Sequence, residues 1–254
     1  MYTTETPQDA AKYAVGRAAV ARYAHDGARL GLGSGTTSAW FVRALGEKVA
    51  EGLDVIGVPT SNSTRDLALS VGITLVDIND LDRPLDVTLD GPDEVDRDGD
   101  MIKGGGACLL WERMVAEAST KMVCIADDTK LVDTLGAFPL PIEVVQYGWK
   151  ATRRSIDALL RDLGYSEVTI EQRRRDGRPV VTDNGNFVLD AHLEKITDKS
   201  ALDTHLNLIP GVAENGMFTG IASEILMASP EGAIEVIDLP NRVAARKPDW
   251  RLTR

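Results

Sequence analysis

The sequence predicts an α/β fold: a Rossmann-like, mostly parallel sheet covered by helices, with a smaller inserted α+β domain. Three observations carry that expectation. Short apolar runs alternate with amphipathic helical stretches through the first half of the chain, the pattern of a parallel sheet covered on both faces. Four of the apolar runs end in glycine-rich or acidic loops, and in open parallel sheets ligands bind at the loops beyond the strand ends. Near Phe138-Pro139-Leu140-Pro141 the alternation stops, because two prolines so close exclude regular helix and mark a boundary.

Each element has its own local reason. Thr6-Pro7-Gln8-Asp9 opens a helix with a capping hydroxyl, a first-turn proline and an acid at the positive end of the dipole. That helix carries Ala11, Val15, Ala18, Ala19 and Tyr23 inward and stops near Gly27. A strand over 29–33 and a helix over 37–51, with Trp40, Phe41, Leu45 and Val49 on its inner face, follow. Further strands are read at 55–58, 74–78 and 87–89, with a helix over 63–70. A helix over 106–120 leads to a central strand at 122–126. Beyond the prolines come a helix over 149–163, a strand over 167–172 and a strand pair around Thr182-Asp183-Asn184-Gly185-Asn186, since Asn-Gly between apolar runs signals a hairpin. Ile209-Pro210-Gly211 marks the return crossing, and 232–237 supplies a late strand to the first domain. The expected division is therefore 1–137 plus 208–237 as the catalytic domain, 138–207 as the smaller domain, and 238–254 as a tail.

Composition narrows the partners. The chain has 254 residues, 43% of them apolar, which suits a globular protein with a substantial core. A formal net charge of −11 repels polyanions and argues against nucleic acid or an anionic membrane as partner. A phosphate ester would have to be held by a local cluster of donors, because the overall field opposes it. Cys108 and Cys124 make no disulfide framework and read as buried thiols. The opening residues lack a signal pattern and no run of 18 apolar residues occurs, so the cytoplasm is the expected compartment.

Four motifs carry the chemistry. Gly31-Leu32-Gly33-Ser34-Gly35-Thr36-Thr37 lies between strand and helix, where glycines admit an anion and the helix end offers N–H groups. Ser34, Thr36 and Thr37 add hydroxyls. Ser38 breaks the dinucleotide fingerprint and no Walker lysine follows. Read blandly, the segment is a tight strand-to-helix turn. Lys103-Gly104-Gly105-Gly106 is harder to dismiss, since three successive glycines lose much backbone entropy on folding, and an anion nest explains them. Asp90 and Asp93 bracket Gly91-Pro92 in a turn that holds both carboxylates toward the rim; with Glu94, Asp96, Asp98 and Asp100 nearby, an acidic surface turn is the competing account. Asp127-Asp128-Thr129-Lys130 offers a lysine to phosphate or sugar hydroxyls, against the reading of a surface lysine. Glu112 is placed on the edge of an apolar stripe, roughly 9 Å along its helix from the glycine nest, where desolvation would raise its proton affinity and suit a general base. A solvated helical glutamate is the alternative. His25, His192 and His205 have no metal-ligand spacing, and Arg173-Arg174-Arg175 with Arg178 reads as a solvated hairpin end.

In this order the motifs closely resemble ribose-5-phosphate isomerase type A, with Pro139-Leu140-Pro141-Ile142-Glu143-Val144, Thr182-Asp183-Asn184-Gly185-Asn186 and Ile209-Pro210-Gly211-Val212 completing the set over about residues 7–237. The resemblance implies interconversion of ribose 5-phosphate and ribulose 5-phosphate through an enediolate, in the pentose phosphate pathway, with no metal and no cofactor. By it, Glu112 is the base, assisted by Asp90, Asp93 and Lys103. Ser34, Gly35, Thr36 and Thr37 form one substrate loop; Asp90, Gly91, Pro92 and Asp93 a second; Lys103, Gly104, Gly105 and Gly106 a third. Lys130 and Lys12 match substrate and phosphate contacts, and a homodimer or homotetramer is implied. Pro92 stands where alanine is usual, and Trp111 where arginine is common. An amino-sugar phosphate deaminase and a non-catalytic sugar-phosphate sensor remain the rival readings.

Overall fold

The computed structural model describes residues 6–165 and 167–239. In chain order its elements begin α1 (Pro7–Tyr23), β1 (Ala28–Leu32), α2 (Gly35–Ala50), β2 (Val55–Pro59), α3 (Asn62–Ser70), β3 (Thr74–Leu75) and β4 (Val87–Asp90). They continue β5 (Glu94–Val95), β6 (Met101–Ile102), α4 (Leu109–Glu117), β7 (Met122–Asp127), β8 (Leu140–Val144), α5 (Trp149–Asp162), β9 (Thr169–Gln172), β10 (Arg174–Arg175) and β11 (Arg178–Pro179). The last are β12 (Phe187–His192), α6 (Lys199–Asn207), β13 (Val212–Asn215), β14 (Met217–Phe218), β15 (Ala222–Ala228) and β16 (Ile234–Asp238).

Two compact units share these elements. The first takes, among the described residues, 6–91, 114–129 and 220–239. Its seven-stranded sheet runs β16-β15-β7-β4-β1-β2-β3, and every neighbouring pair is parallel except β15 with β16. The chain leaves β1 for β2 on one side and returns to β4 on the other, so β1 and β4 form the switch point, where open parallel sheets bind their ligands. Leu30 and Leu32 of β1 join Phe41 and Leu45 of α2 and Val15 of α1 in the main core. Gly31, on the opposite face of β1, lies against Val115 of α4, and a β-carbon there would collide with Thr88 and Val115. Helices therefore cover both faces, as the alternating pattern requires.

The second unit takes residues 92–113 and 130–219. Its main sheet is antiparallel, β13-β8-β12-β9, and packs Ile142, Val144 and Leu189 against Ile156 and Leu160 of α5 and Leu202 and Leu206 of α6. A smaller sheet, β14-β6-β5, pairs Met217 with Ile102 and Glu94 with Ile102 on the other edge.

This division differs from the expected 138–207 insert. Residues 92–113 fold with the second unit because Glu94 accepts the N–H groups of Gly136 at 2.8 Å and Phe138 at 2.6 Å. Lys199 of α6 likewise lies 2.7 Å from Asp96 and 2.6 Å from Asp100, which accounts for the acids crowded after Asp93. The late strand ends at Asp238, and the tail expected beyond it falls, from residue 240, outside the described residues. The proline-rich stretch is itself strand β8, and the segment before Asn184-Gly185 contributes only a bridge, Val181 to Phe187. Cys124 is buried as expected, whereas Cys108 is half-buried.

Candidate active site

In the first unit the candidate residues gather at the β1–β4 switch point. Ser34 caps α2 in extended geometry but makes no side-chain cap bond. Its hydroxyl lies instead 2.7 Å from Thr60 Oγ1, 2.7 Å from Ser61 Oγ and 3.1 Å from Thr64 Oγ1, at the mouth of the neighbouring strand β2. The first N–H groups of α2 are thus not capped by Ser34, the condition that makes a helix start an anion site. Gly35 has φ +90°, a conformation that favours glycine, and Thr36 is exposed while Thr37 is buried.

Asp90 organises this loop. Its Oδ1 accepts from the Ser34 N–H at 3.0 Å, the Ser38 hydroxyl at 3.1 Å and the Gly91 N–H at 2.8 Å. Gly33 approaches so closely that a β-carbon would collide with that carboxylate. Lys12 is largely buried, four residues before Gly16, where α1 meets the backbone of α2 at Trp40 and Phe41. Asp127, buried at the end of β7, accepts from the Thr129 N–H at 3.2 Å and shapes the turn that leads to Lys130.

The second unit holds charge. Lys103 is 1% exposed, and its Nζ lies 3.4 Å from Glu112 Oε2. The same ammonium stands 5.6 Å from the centre of the Phe218 ring, a cation–π contact. Its backbone N–H donates to Gly216 at 2.9 Å. The lysine loop thus leaves the small β14-β6-β5 sheet, not the parallel sheet that the alternation of the sequence implied.

Helix α4 begins at Leu109, later than expected, so Glu112 sits in its first turn, with its N–H on Cys108 O at 3.0 Å. Ala107 just before it has φ +63°. The base candidate is therefore beside Lys103, and the axial separation from the glycine nest read from the sequence lapses because residues 106–108 are not helical. Arg113, the next residue, is held by Asp203 at 3.2 Å, Glu214 at 3.2 Å and Met217 O at 2.8 Å, above the Phe218 ring at 4.1 Å. Burial pushes the Glu214 carboxyl up, against the pull of Arg113.

Within the triple glycine the N–H groups are not all open to a ligand. Gly105 donates to Asp93 Oδ2 at 2.7 Å and Ala107 to Gly104 O at 2.9 Å. Arg173 donates to the carbonyls of Gly104 at 2.7 Å and Gly105 at 3.0 Å while its Nε holds Asp190 at 2.8 Å. A trans peptide sets N–H opposite C=O, so the Gly106 N–H points away from Arg173. Arg173 was missed because it sits in an arginine run whose other members, Arg174, Arg175 and Arg178, do lie exposed on the β10–β11 hairpin. Burial pushes the Asp93 carboxyl up, opposed by the Gly105 N–H and by Lys103, Lys130 and Arg173.

The expected residues therefore fall into two groups. Lys12, Ser34, Gly35, Thr36, Thr37, Asp90 and Gly91 belong to the first unit; Pro92, Asp93, Lys103, Gly104, Gly105, Gly106, Glu112 and Lys130 belong to the second. The chain passes from one to the other between Gly91 and Pro92, inside the motif that reads as a single turn.

A family profile described as ribose 5-phosphate isomerase A (phosphoriboisomerase A) matches residues 56–232. Ribose-5-phosphate isomerase A 2 of Yersinia pseudotuberculosis is 48% identical over 227 residues, 89% of this chain and 96% of that protein. The solved ribose 5-phosphate isomerase A of Methanocaldococcus jannaschii superposes with a TM-score of 0.81 at 33% identity, covering 89% of this chain and 97% of that one. A D-ribose-5-phosphate isomerase solved in complex with phospho-erythronic acid matches with a TM-score of 0.80 at 34% identity, over 89% and 97%.

Proposed function

The chain belongs to the ribose 5-phosphate isomerase A family, and from that premise we propose that it interconverts ribose 5-phosphate and ribulose 5-phosphate with Glu112 as the proton-transferring base. The observation that carries this reading is the buried pair of Glu112 and Lys103 at 3.4 Å, beside the glycine loop. A hydrogen on carbon next to a carbonyl is weakly acidic. Its removal needs a base held within hydrogen-bond reach and positive charge where the oxyanion forms. One carboxylate and one ammonium, both shielded from water, meet those two needs together.

In the forward direction Glu112 takes the C2 proton of the open-chain aldehyde, leaving an enediolate whose charge lies on O1 and passes to O2 when the hydroxyl proton moves. Lys103 and the Gly106 N–H stabilise that charge. A hydroxyl proton moves from O2 to O1, and Glu112 returns the carbon-bound proton to C1 to give the ketone. Asp93 suits the oxygen-to-oxygen transfer, because burial favours its protonated form. Asp90, occupied by Ser34, Ser38 and Gly91, serves by fixing the loop that receives the phosphate. Ser34, Gly35, Thr36 and Thr37 at the start of α2, with Lys12 and Lys130, are the proposed phosphate and hydroxyl contacts. The relative solved with phospho-erythronic acid fits this picture, since that compound carries an acid group and a phosphate at opposite ends of a short hydroxylated chain.

We place the enzyme in the cytoplasm as a homodimer or homotetramer; among the described residues no helix is long and apolar enough to cross a membrane. A coupled assay tests the activity. Ribulose 5-phosphate should form from ribose 5-phosphate at a rate unchanged by chelator, with unphosphorylated ribose and glucosamine 6-phosphate turned over poorly. Release of ammonia from glucosamine 6-phosphate at a comparable rate would instead assign the deaminase reading.

A further inference from the structure

Two of the motifs, Pro139-Leu140-Pro141-Ile142-Glu143-Val144 and Thr182-Asp183-Asn184-Gly185-Asn186, have no part in the reaction above, yet the second unit ties them together through one carboxylate. Glu143 is fully buried in β8, between β12 and β13. Its Oε1 accepts from Thr182 Oγ1 at 2.8 Å, Asn184 Nδ2 at 3.1 Å and Asn186 Nδ2 at 3.0 Å. The turn closes without this help: Thr182 N–H donates to Asn186 O at 2.9 Å, Gly185 N–H to Thr182 O at 2.9 Å, and Gly185 has φ +78°. Burying a carboxylate costs several kcal/mol unless its partners are well placed. A hairpin that closes by its own backbone needs no such anchor. The carboxylate therefore fixes where the turn stands on the sheet, beyond closing it.

What the turn reaches is the helix of the base. Asn184 gives its Nδ2 to Glu143 and uses its Oδ1 to accept from Trp111 Nε1 at 2.7 Å. Both ends of one amide are engaged, so its orientation is set. Trp111 immediately precedes Glu112 in the first turn of α4, where a helix lacks its full complement of backbone bonds and frays most readily. Arg113 is gripped on the other side by Asp203 and Glu214. Glu112 thus stands between two anchored neighbours.

We propose that Glu143, Asn184 and Trp111 form a brace that positions Glu112 for proton transfer without touching the substrate. This rests on Glu112 being the base. Misplacing a reacting group by about 1 Å is enough to lower a rate ~100-fold. Loss of one partly exposed hydrogen bond should displace Glu112 less than that.

Steady-state kinetics of the full chain with ribose 5-phosphate test the brace. Trp111→Phe, which keeps the ring and removes the N–H, and Asn184→Ala, at an exposed turn position, should each lower kcat about fivefold with KM within twofold, the effect of losing one hydrogen bond. The double variant should be no slower than the worse single one, because both remove the same contact. Trp111→Arg, which restores a donor to Asn184, should recover most of kcat. Unchanged kcat in Trp111→Phe, multiplying losses in the double variant, or a change confined to KM would overturn the brace. Glu112→Gln in the same assay separates the two ideas. If it stays active the base assignment fails; if it is inactive while Trp111→Phe turns over normally, only the brace fails.

Discussion

In the first unit the glycine loop is held by hydroxyls and one carboxylate: Ser34 sits among the hydroxyls of Thr60, Ser61 and Thr64, and Asp90 accepts three donors. In the second unit the corresponding loop is held by charges, with Lys103 beside Glu112, Asp93 on the Gly105 N–H and Arg173 on two glycine carbonyls. On the proposed assignment, hydroxyls and helix-end N–H groups hold the phosphate with Lys12 and Lys130 as its only counter-charges, so substrate and product can leave. Buried charges do the opposite. Their field acts in a medium that screens it weakly, which strengthens their effect on a developing oxyanion. The proposed mechanism accordingly gives the holding role to the loop of the first unit and the proton chemistry to the charges of the second.

The strongest test of that assignment is Glu112→Gln. The amide keeps the shape and cannot take a proton from carbon, so kcat should fall by about 10³-fold or more while KM changes little. A loss of binding with kcat retained would move the chemistry elsewhere. Lys103→Met comes next. Removing one preorganised donor to the oxyanion should lower kcat by ~10²-fold. It also strips Glu112 of its nearest ammonium, so the melting temperature should drop as well. A variant with lower stability and unchanged kcat would reduce Lys103 to a structural ion.

Much of the first unit was legible in the sequence, and the reasons are local. β7 is a continuous apolar run, α2 shows its helical period, and Gly33-Ser34-Gly35 sits where a strand must turn into a helix. The second unit was read less well because its contacts are not local. β5, β6 and β14 are two residues each and carry no period, yet they place Lys103 and pair with partners far along the chain. β8 contains Pro141, which argues against an interior strand, although β12 and β13 flank it. Two further elements lie outside the expected set: helix α6 of the second unit, opened by the Asp198 cap, and β15, a buried strand of the first unit's sheet. Asp90 and Asp93 read as a matched pair, and only their partners separate a carboxylate that shapes a loop from one that is pressed toward its protonated form.

A smaller effect should come from the hydroxyl cluster. Ser34→Ala removes the hub shared by Thr60, Ser61 and Thr64 but leaves the backbone N–H that Asp90 accepts. KM for ribose 5-phosphate should rise roughly threefold to tenfold, the worth of one hydrogen bond, with kcat nearly unchanged. A large loss of kcat would show that the hydroxyls take part in chemistry and would break the division between the units.

The smallest effect concerns Asp93 and reverses sign relative to activity. Desolvation raises its pKa in the folded protein, only partly offset by the Gly105 N–H and by Lys103, Lys130 and Arg173. A carboxyl raised in the folded state contributes most stability when protonated, and that contribution is lost as pH climbs from the ordinary carboxylate range through the raised folded value. Asp93→Asn cannot ionise and keeps an oxygen for Gly105. The variant should therefore melt above the wild type at neutral pH, by roughly 2–4 °C for each kcal/mol recovered in a chain of this size, with the gap closing as pH falls toward 4. Activity should fall at the same time, since the proton carrier between the substrate oxygens is gone. Melting curves of the two proteins across that pH range decide it: a gap that stays constant, or that widens toward acid, would mean Asp93 is held ionised by its cations, and the oxygen-to-oxygen transfer would need another carrier.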